Sequence, residues 1–371
     1  MSVIARRPLL RWAVPGAALV VALGGGAAVN ALNASADETL PSRTPAQLLV
    51  DIEQARLDAA SGTVVVTADL GLPELPTPPG GAGSATADLT GLLSGSHTLR
   101  VWYAGQDKAR VALLDRVGES DVIRNGQDLW LWSSADNSAE HSTLAAPGTS
   151  QPRTLPSGVP TDPQAAADQV LAALDPTTAV STSDTLTVAG RAAYDLVLKP
   201  KDATSLIGSV SIAIDGERHI PLQVQVYPRG TDSPAFQIGF TQVSFAKPDE
   251  DVFAFTPPKG VKVTEHGSTD QAGPGAAGAT APQSAVIGKG WTAVLVTRVG
   301  TLSTGGSQKG PETMQSYLGA LPRVSGSWGS GRLLTGTLFS ALLTDDGRLL
   351  AGAVSPQALL AAAADPAAAL K

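Results

Sequence analysis

At 371 residues the chain is too long for one small domain and about right for two. Hydrophobic residues make up 43% and charged residues 16%, enough for a sizeable core, while 39 Gly and 27 Pro favour short strands and turns over a helical bundle. A net charge of −7 argues against a nucleic-acid partner, and the absence of Cys excludes disulfides, thiol chemistry and lipidation at cysteine.

Arg6, Arg7 and Arg11 precede a charge-free stretch from Trp12 to Ala36, and Ala34–Ser35–Ala36 offers small residues for cleavage before Asp37. Residues 1–36 are therefore expected to be a signal peptide or, since roughly 20 apolar residues span a bilayer, an N-terminal membrane anchor. Either form places the remainder outside the cytoplasm, secreted or held on the outer face of the cytoplasmic membrane. Removing this segment takes away three Arg and no acid, which leaves a net charge of −10.

Thr44–Pro45–Ala46–Gln47 reads as a capped helix start, with Leu48, Leu49, Ile52, Ala55 and Ala59 at helical spacing and Gly62 as the stop. A strand is expected over Thr63–Leu72, then a Pro/Gly-rich excursion over 73–94 that carries Leu89, Leu92 and Leu93. The excursion reads as a mobile flap or an ordered long loop. Five strands in a meander follow, at His97–Ala104, Lys108–Arg116, Ser120–Arg124, Leu129–Ser133 and Glu140–Leu144, with Asn125–Gly126 as the strongest turn signal. These strands are apolar on both faces: Leu99, Val101 and Tyr103 oppose Trp102, and Leu129 and Leu131 oppose Trp130 and Trp132.

Residues 147–162 read as a connector and Pro163–Asp175 as a second helix stopped at Pro176. From Tyr194 to Phe245 apolar residues alternate strictly: Tyr194, Leu196, Leu198; Val210, Ile212, Ile214; Leu222, Val224, Val226; Phe236, Ile238, Phe240. Alternation of period two predicts strands with one buried face. The parity changes at Val243 and Phe245, which predicts a bulge near Thr241–Gln242. Asp249–Phe255 closes this unit. The domain expectation is one large domain over 37–266, a flexible linker over 267–283 and a small α+β domain over 284–371. Within the last, the expected elements are a strand at Trp291–Val296, a helix at Glu312–Leu321, a hairpin of Arg332–Leu343 and Arg348–Val354 turning at Asp345–Gly347, and a helix from Ser355–Pro356.

The order of signal segment, capped helix, meander, helix and Gly190–Arg191…Tyr194–Asp195–Leu196…Pro200 strand resembles the extracytoplasmic LolA-like family. Asp215–Gly216, Pro221–Leu222 and the closing Phe253–Ala254–Phe255–Thr256–Pro257–Pro258 share in the resemblance. It covers roughly residues 38–266 and extends to the RseB-type sigma-factor regulatory relatives. It implies an α+β fold: an unclosed antiparallel β-barrel of about eleven strands, capped by helices, whose hollow receives an acyl chain or an apolar peptide. The small C-terminal α+β unit lies outside it. The Ala/Gly-rich, Lys-poor composition suggests a high-GC, Gram-positive source, where delivery to an ordinary outer membrane does not apply.

The four His (His97, His141, His219, His266) show no metal-ligand spacing, so no metal is expected. Gly288–Lys289 lacks the earlier Gly of a phosphate loop, and Gly290 stands where Ser or Thr belongs. Ser325, Ser327 and Ser330 sit in no nucleophile elbow. No nucleophile, base and orienter can be assembled, so the chain reads as a non-catalytic binding protein without a cofactor. The expected ligand is a lipid or lipoprotein acyl chain, bound by Trp102, Trp130, Trp132, Leu114, Leu89 and Leu92, with Arg100 and Arg110 beside a headgroup. Ordinary core is the other reading of the Trp set. The alternative partner is the outer part of a membrane protein such as an anti-sigma factor.

Overall fold

The computed structural model describes residues 40–72, 91–92, 94–114, 118–144, 177–269, 284–298 and 318–370. The N-terminal segment, most of the 73–94 excursion including Leu89, the second helix, and most of both the linker and the helix expected at Glu312–Leu321 lie outside them.

Helix α1 (Pro45–Gln54) begins as its sequence dictates. Gln47 N–H donates to Thr44 Oγ1 at 3.2 Å, Thr44 N–H donates to Gln47 Oε1 at 2.9 Å, and Pro45 needs no partner at the first turn. The helix is shorter than its apolar spacing suggests. Ala59 and Gly62 belong to β1 (Ala59–Ala68), whose residues pair on both edges and so gain more as strand than as helix. Gly62 is required there, because a Cβ would overlap the carbonyl oxygen of Gln242 across the strand pair.

Two meanders flank β1. On one side run β2 (Gly95–Ala104), β3 (Lys108–Leu114), β4 (Glu119–Asn125), β5 (Asp128–Ser133) and β6 (Ser138–Leu144). On the other run β11 (Phe236–Ser244), β10 (Pro221–Pro228), β9 (Ile207–Asp215), β8 (Arg191–Pro200) and β7 (Thr178–Val188). Strands β1 to β11 are antiparallel throughout, and β12 (Lys262–Thr269) adds a parallel edge strand on β6. Its polar sequence gives no alternation to read, and it runs three residues into the expected linker. Edge strands β7 and β12 are not bonded to one another, so the sheet is unclosed. It is nevertheless curled: β7 touches β11, which a flat sheet would hold about 19 Å away. The bulge at Thr241 is where the parity change places it, since Thr63 pairs with Gln242 and Val64 with Phe240.

A second sheet contains β13 (Ser284–Ile287), β14 (Val294–Arg298), β18 (Arg348–Gly352), β17 (Ser340–Thr344), β16 (Gly329–Thr335) and β15 (Arg323–Gly326), in that order. Helix α2 (Pro356–Ala363), capped by Ser355, packs Leu359 and Ala363 on Val294, Val296, Leu342 and Leu350. Trp291 is not a strand residue. It lies in a 3₁₀ turn (Gly290–Thr292), buried in one cluster with Leu48, Leu196 and Leu198 of the large sheet, and its indole N–H donates to Thr178 Oγ1 at 2.7 Å. The β16–β17 turn meets β1's far end, with Thr337 N–H donating to Leu70 O at 2.7 Å, and Leu206 N–H donates to Ala353 O at 2.9 Å.

We expect Trp291→Ala to destabilise the whole protein by about 3–5 kcal/mol in urea unfolding, because it empties a shared core. Thr178→Val should cost about 1–3 kcal/mol by leaving the buried indole N–H unpaired.

Candidate functional site

The strand registers divide the large sheet into two faces. On the first, Leu196 pairs with Ile212, Ile212 with Val224, Val224 with Ile238 and Ile238 with Val66. The same face continues through Val64 to Leu99 and Leu113, and through Val101 to Val111, Val122 and Leu131. It is apolar from β8 to β5 except toward the strand ends, where Ser120 and Arg124 of β4 share it. Helix α1 covers the β8–β10 end, where Leu48, Leu49 and Ile52 pack on Tyr194, Leu196, Ile212 and Val224. Tyr194 ties the chain before the helix to the sheet, its hydroxyl donating to Pro41 O at 2.9 Å. Toward β5 burial is incomplete: Val101, Tyr103, Val111, Val122, Leu129 and Leu131 are half-buried. Leu92, from the 73–94 excursion, packs on this face beside Val64, Val66, Leu99 and Leu113.

Trp102, Trp130 and Trp132 lie on the opposite face, as alternation requires. Strands β7–β11 line that face with polar groups: Ser183 and Ser211 donate to Asp195, and Gln225 donates to Gln237. From β3 to β5 the closing segment comes down on it. Phe253 is fully buried, and Phe255 meets Trp130 and Trp132 with ring centroids 5.2 and 5.9 Å away. Trp130 also stacks on His141 at 4.1 Å. Among the described residues expected to bind ligand, only Leu92 is brought to the half-buried apolar face. Arg100 is exposed and Leu114 is 39% exposed, both on the Trp side. Sequence reading found both faces of these strands but could not see which one the Phe253–Phe255 segment covers.

Arg110 pins that segment. Its guanidinium lies 5.5 Å from the Trp102 ring, donates to Val252 O at 3.3 Å and pairs with the fully buried Asp121. Lys108 pairs with Glu250 in the same segment, and this pairing holds the Glu250 carboxyl down at about 2. Burial pushes the Asp121 carboxyl up to about 6, against the attraction of Arg110. At the sheet edge, His141 Nδ1 lies 2.7 Å from Glu265 and Nε2 lies 3.0 Å from Asp128. Both nitrogens can donate only when the ring is protonated. Burial disfavours that charge, but the bonds to Glu265 and Asp128 outweigh it and raise the His141 pKa.

Two pH dependences follow. His141, with a raised folded pKa, should support β12 fully below about pH 6.5 and lose that support as pH rises through the folded pKa. The amplitude should be a few tenths of a kcal/mol, given the exposed acids, and His141→Gln should abolish it in amide-exchange protection of β12. Asp121 has the opposite character for an acid. Its raised pKa makes its ionised form costly above about pH 6, so stability should rise as pH falls from 6 toward 4. Arg110→Met, which leaves that carboxylate unpaired, should cost about 3–5 kcal/mol at pH 7.5 and clearly less at pH 5 in urea titrations.

Among the described residues no group of three or more His, Asp or Glu is placed to hold a metal. No family model and no curated protein matches the chain. Among solved structures it is similar to a chain of the Pseudomonas aeruginosa MucA/MucB complex, at 15% identity and a TM-score of 0.41, covering 86% of this chain and 94% of that one. It is similar to a LolA-superfamily protein of Nitrosomonas europaea, at 11% identity and a TM-score of 0.21, covering 58% and 99%. It is also similar to a putative outer-membrane lipoprotein-sorting protein domain of Vibrio parahaemolyticus, at 11% identity and a TM-score of 0.19, covering 53% and 88%. On its own strand count, open edges and helix-covered apolar face, the fold is an unclosed, largely antiparallel half-barrel with a second, smaller sheet.

Proposed function

We propose that the protein is an extracytoplasmic, non-catalytic binding protein that holds an apolar ligand, a lipid or lipoprotein acyl chain, as carrier or sensor. The observation that carries this reading is the half-buried apolar face of β2–β5, where Val101, Val111, Val122, Leu129 and Leu131 continue a face that helix α1 covers only at its other end. An acyl chain laid there would be held by burial, at roughly 0.8 kcal/mol per CH₂, and needs no directional chemistry. The Trp side supplies the stiff backing, through Phe253, Phe255 and Arg110.

A second reading keeps the face and changes the occupant to an apolar segment from the outer part of a membrane protein, such as an anti-sigma factor. It is favoured by β12, whose outer edge no described strand pairs and which offers main-chain groups to a further strand.

Displacement of a fluorescent fatty acid tests the first reading. Leu131→Asp, on the apolar face, should weaken binding at least about tenfold, because a carboxylate would be buried against the chain. Leu114→Asp, on the Trp side, should leave it unchanged. Failure of the wild-type protein to take up any lipid, with retained capture of a membrane-protein segment, would select the second reading.

A further inference from the structure

Strand β12 has no apolar support. It is the one parallel member of an otherwise antiparallel sheet, a pairing slightly less stable per residue. The side chains of residues 262–266 are exposed, Val263 by 42%, and among the described residues none of β12 joins an apolar core. The start of the strand is tethered: Lys262 N–H donates to Asn137 O at 3.0 Å, and Asn137 Nδ2 donates to Gly260 O at 2.8 Å. Toward its end the ladder loses regular register between His266 and Thr269. Between these two points the side-chain contacts that fasten it are ionic.

Strands β6 and β12 share two histidine–glutamate pairs, one on each face of the sheet. On the Trp side, His141 of β6 lies 2.7 Å from Glu265 of β12 and 3.0 Å from Asp128 of β5. On the other side, His266 of β12 lies 3.4 Å from Glu140 of β6. The register produces this pattern: it sets Glu265 beside His141 and Thr264 beside Glu140, and neighbouring residues in each strand point to opposite faces. The charged groups at the seam are three acids, Asp128, Glu140 and Glu265, and two imidazoles. Lys259 and Lys262 lie at the tethered end, and Arg124, three strands from His266 in register, pairs with Asp107. With both rings charged the seam carries one negative charge in excess. With both neutral it carries three, and Asp128 and Glu265 flank a ring that can donate to only one of them.

We propose that this seam is a pH-sensitive fastener: β12 lies on β6 while His141 and His266 are charged, and peels from its Thr269 end when they are neutral. The three acids favour the protonated rings, so fastening is complete in mild acid and is lost as pH rises through the histidine range. The second pair extends the effect to both faces of the sheet, beyond what His141 supplies alone. Peeling transfers the open edge from β12 to β6, whose main-chain groups are then offered to a further strand. The fastener stands on the edge itself, whatever the apolar face binds.

Amide exchange of the full-length protein at pH 5.5 and 8.0, corrected for intrinsic rates, tests the fastener. Protection of residues 263–266 relative to β3 and β4 should be about fivefold greater at pH 5.5, as two partly exposed ion pairs would give. His266→Gln should reduce this to about twofold, and the double variant His141→Gln, His266→Gln should remove it. Glu140→Gln breaks the second pair from the other strand and should match His266→Gln. Circular dichroism checks that each variant is folded, and Glu140→Gln decides the point if His266→Gln is not. An equal ratio at the two pH values in the parent protein overturns the proposal. So does a pH effect that neither His266→Gln nor Glu140→Gln changes, or one that persists in the double variant. A loss of protection shared equally by β3 and β4 also overturns it, since that is opening of the whole sheet.

Discussion

Pairing on both edges fixes β1, and β1 in turn fixes which side of every other large-sheet strand faces which neighbour. Its one face carries Val64 and Val66, which meet Phe240 and Ile238 on one edge and Leu99 on the other. Since side chains alternate, that single register propagates through both meanders and joins them into one apolar surface. Gly62 and the bulge at Thr241 are the local adjustments that keep it. The extra residue bends β11, and the missing Cβ lets its carbonyl approach. The curl of the sheet, and the placement of helix α1 against its far half, rest on this central strand.

The two faces are then held by different physics. The apolar face is held by burial, which is non-directional. The Trp face is held by specific pairs: Arg110 with Asp121 and Val252, Lys108 with Glu250, and Phe255 against Trp130 and Trp132. A buried carboxylate such as Asp121 is costly to desolvate and adds little net stability, yet removing its partner is severe. The arrangement therefore fixes the Phe253–Phe255 segment in one position. It makes the Trp face a stiff backing for strands whose other side is half-buried. The second sheet is joined in a similar way, through a buried Trp whose one polar atom is satisfied by Thr178.

Strand alternation is written in residue order, so the strands of both meanders, the bulge and the capping box were all legible in the sequence. So were the two apolar faces of β2–β5, because Trp130 and Trp132 interrupt Leu129 and Leu131 one residue at a time. Helix α1's end was not. Ala55 to Gly62 suits a helix locally, and only strands β2 and β11, distant in sequence, claim Ala59–Gly62 as strand. The parallel strand β12 was hidden for a related reason, since a polar edge strand carries no alternation.

The choice between the two faces lay beyond the sequence altogether. Which side a covering segment occupies depends on contacts such as Arg110 with Val252 and Trp132 with Phe255, between positions more than a hundred residues apart. The β6–β12 seam has the same origin, for His141 and Glu265 become neighbours only when β12 lies along β6. The sequence by itself determined the strands, their parity and their turns, because these follow from near-neighbour chemistry. The tertiary structure alone decided which face the Phe253–Phe255 segment covers and where Trp291 joins the two sheets, because burial and long-range pairing are properties of the assembled sheet.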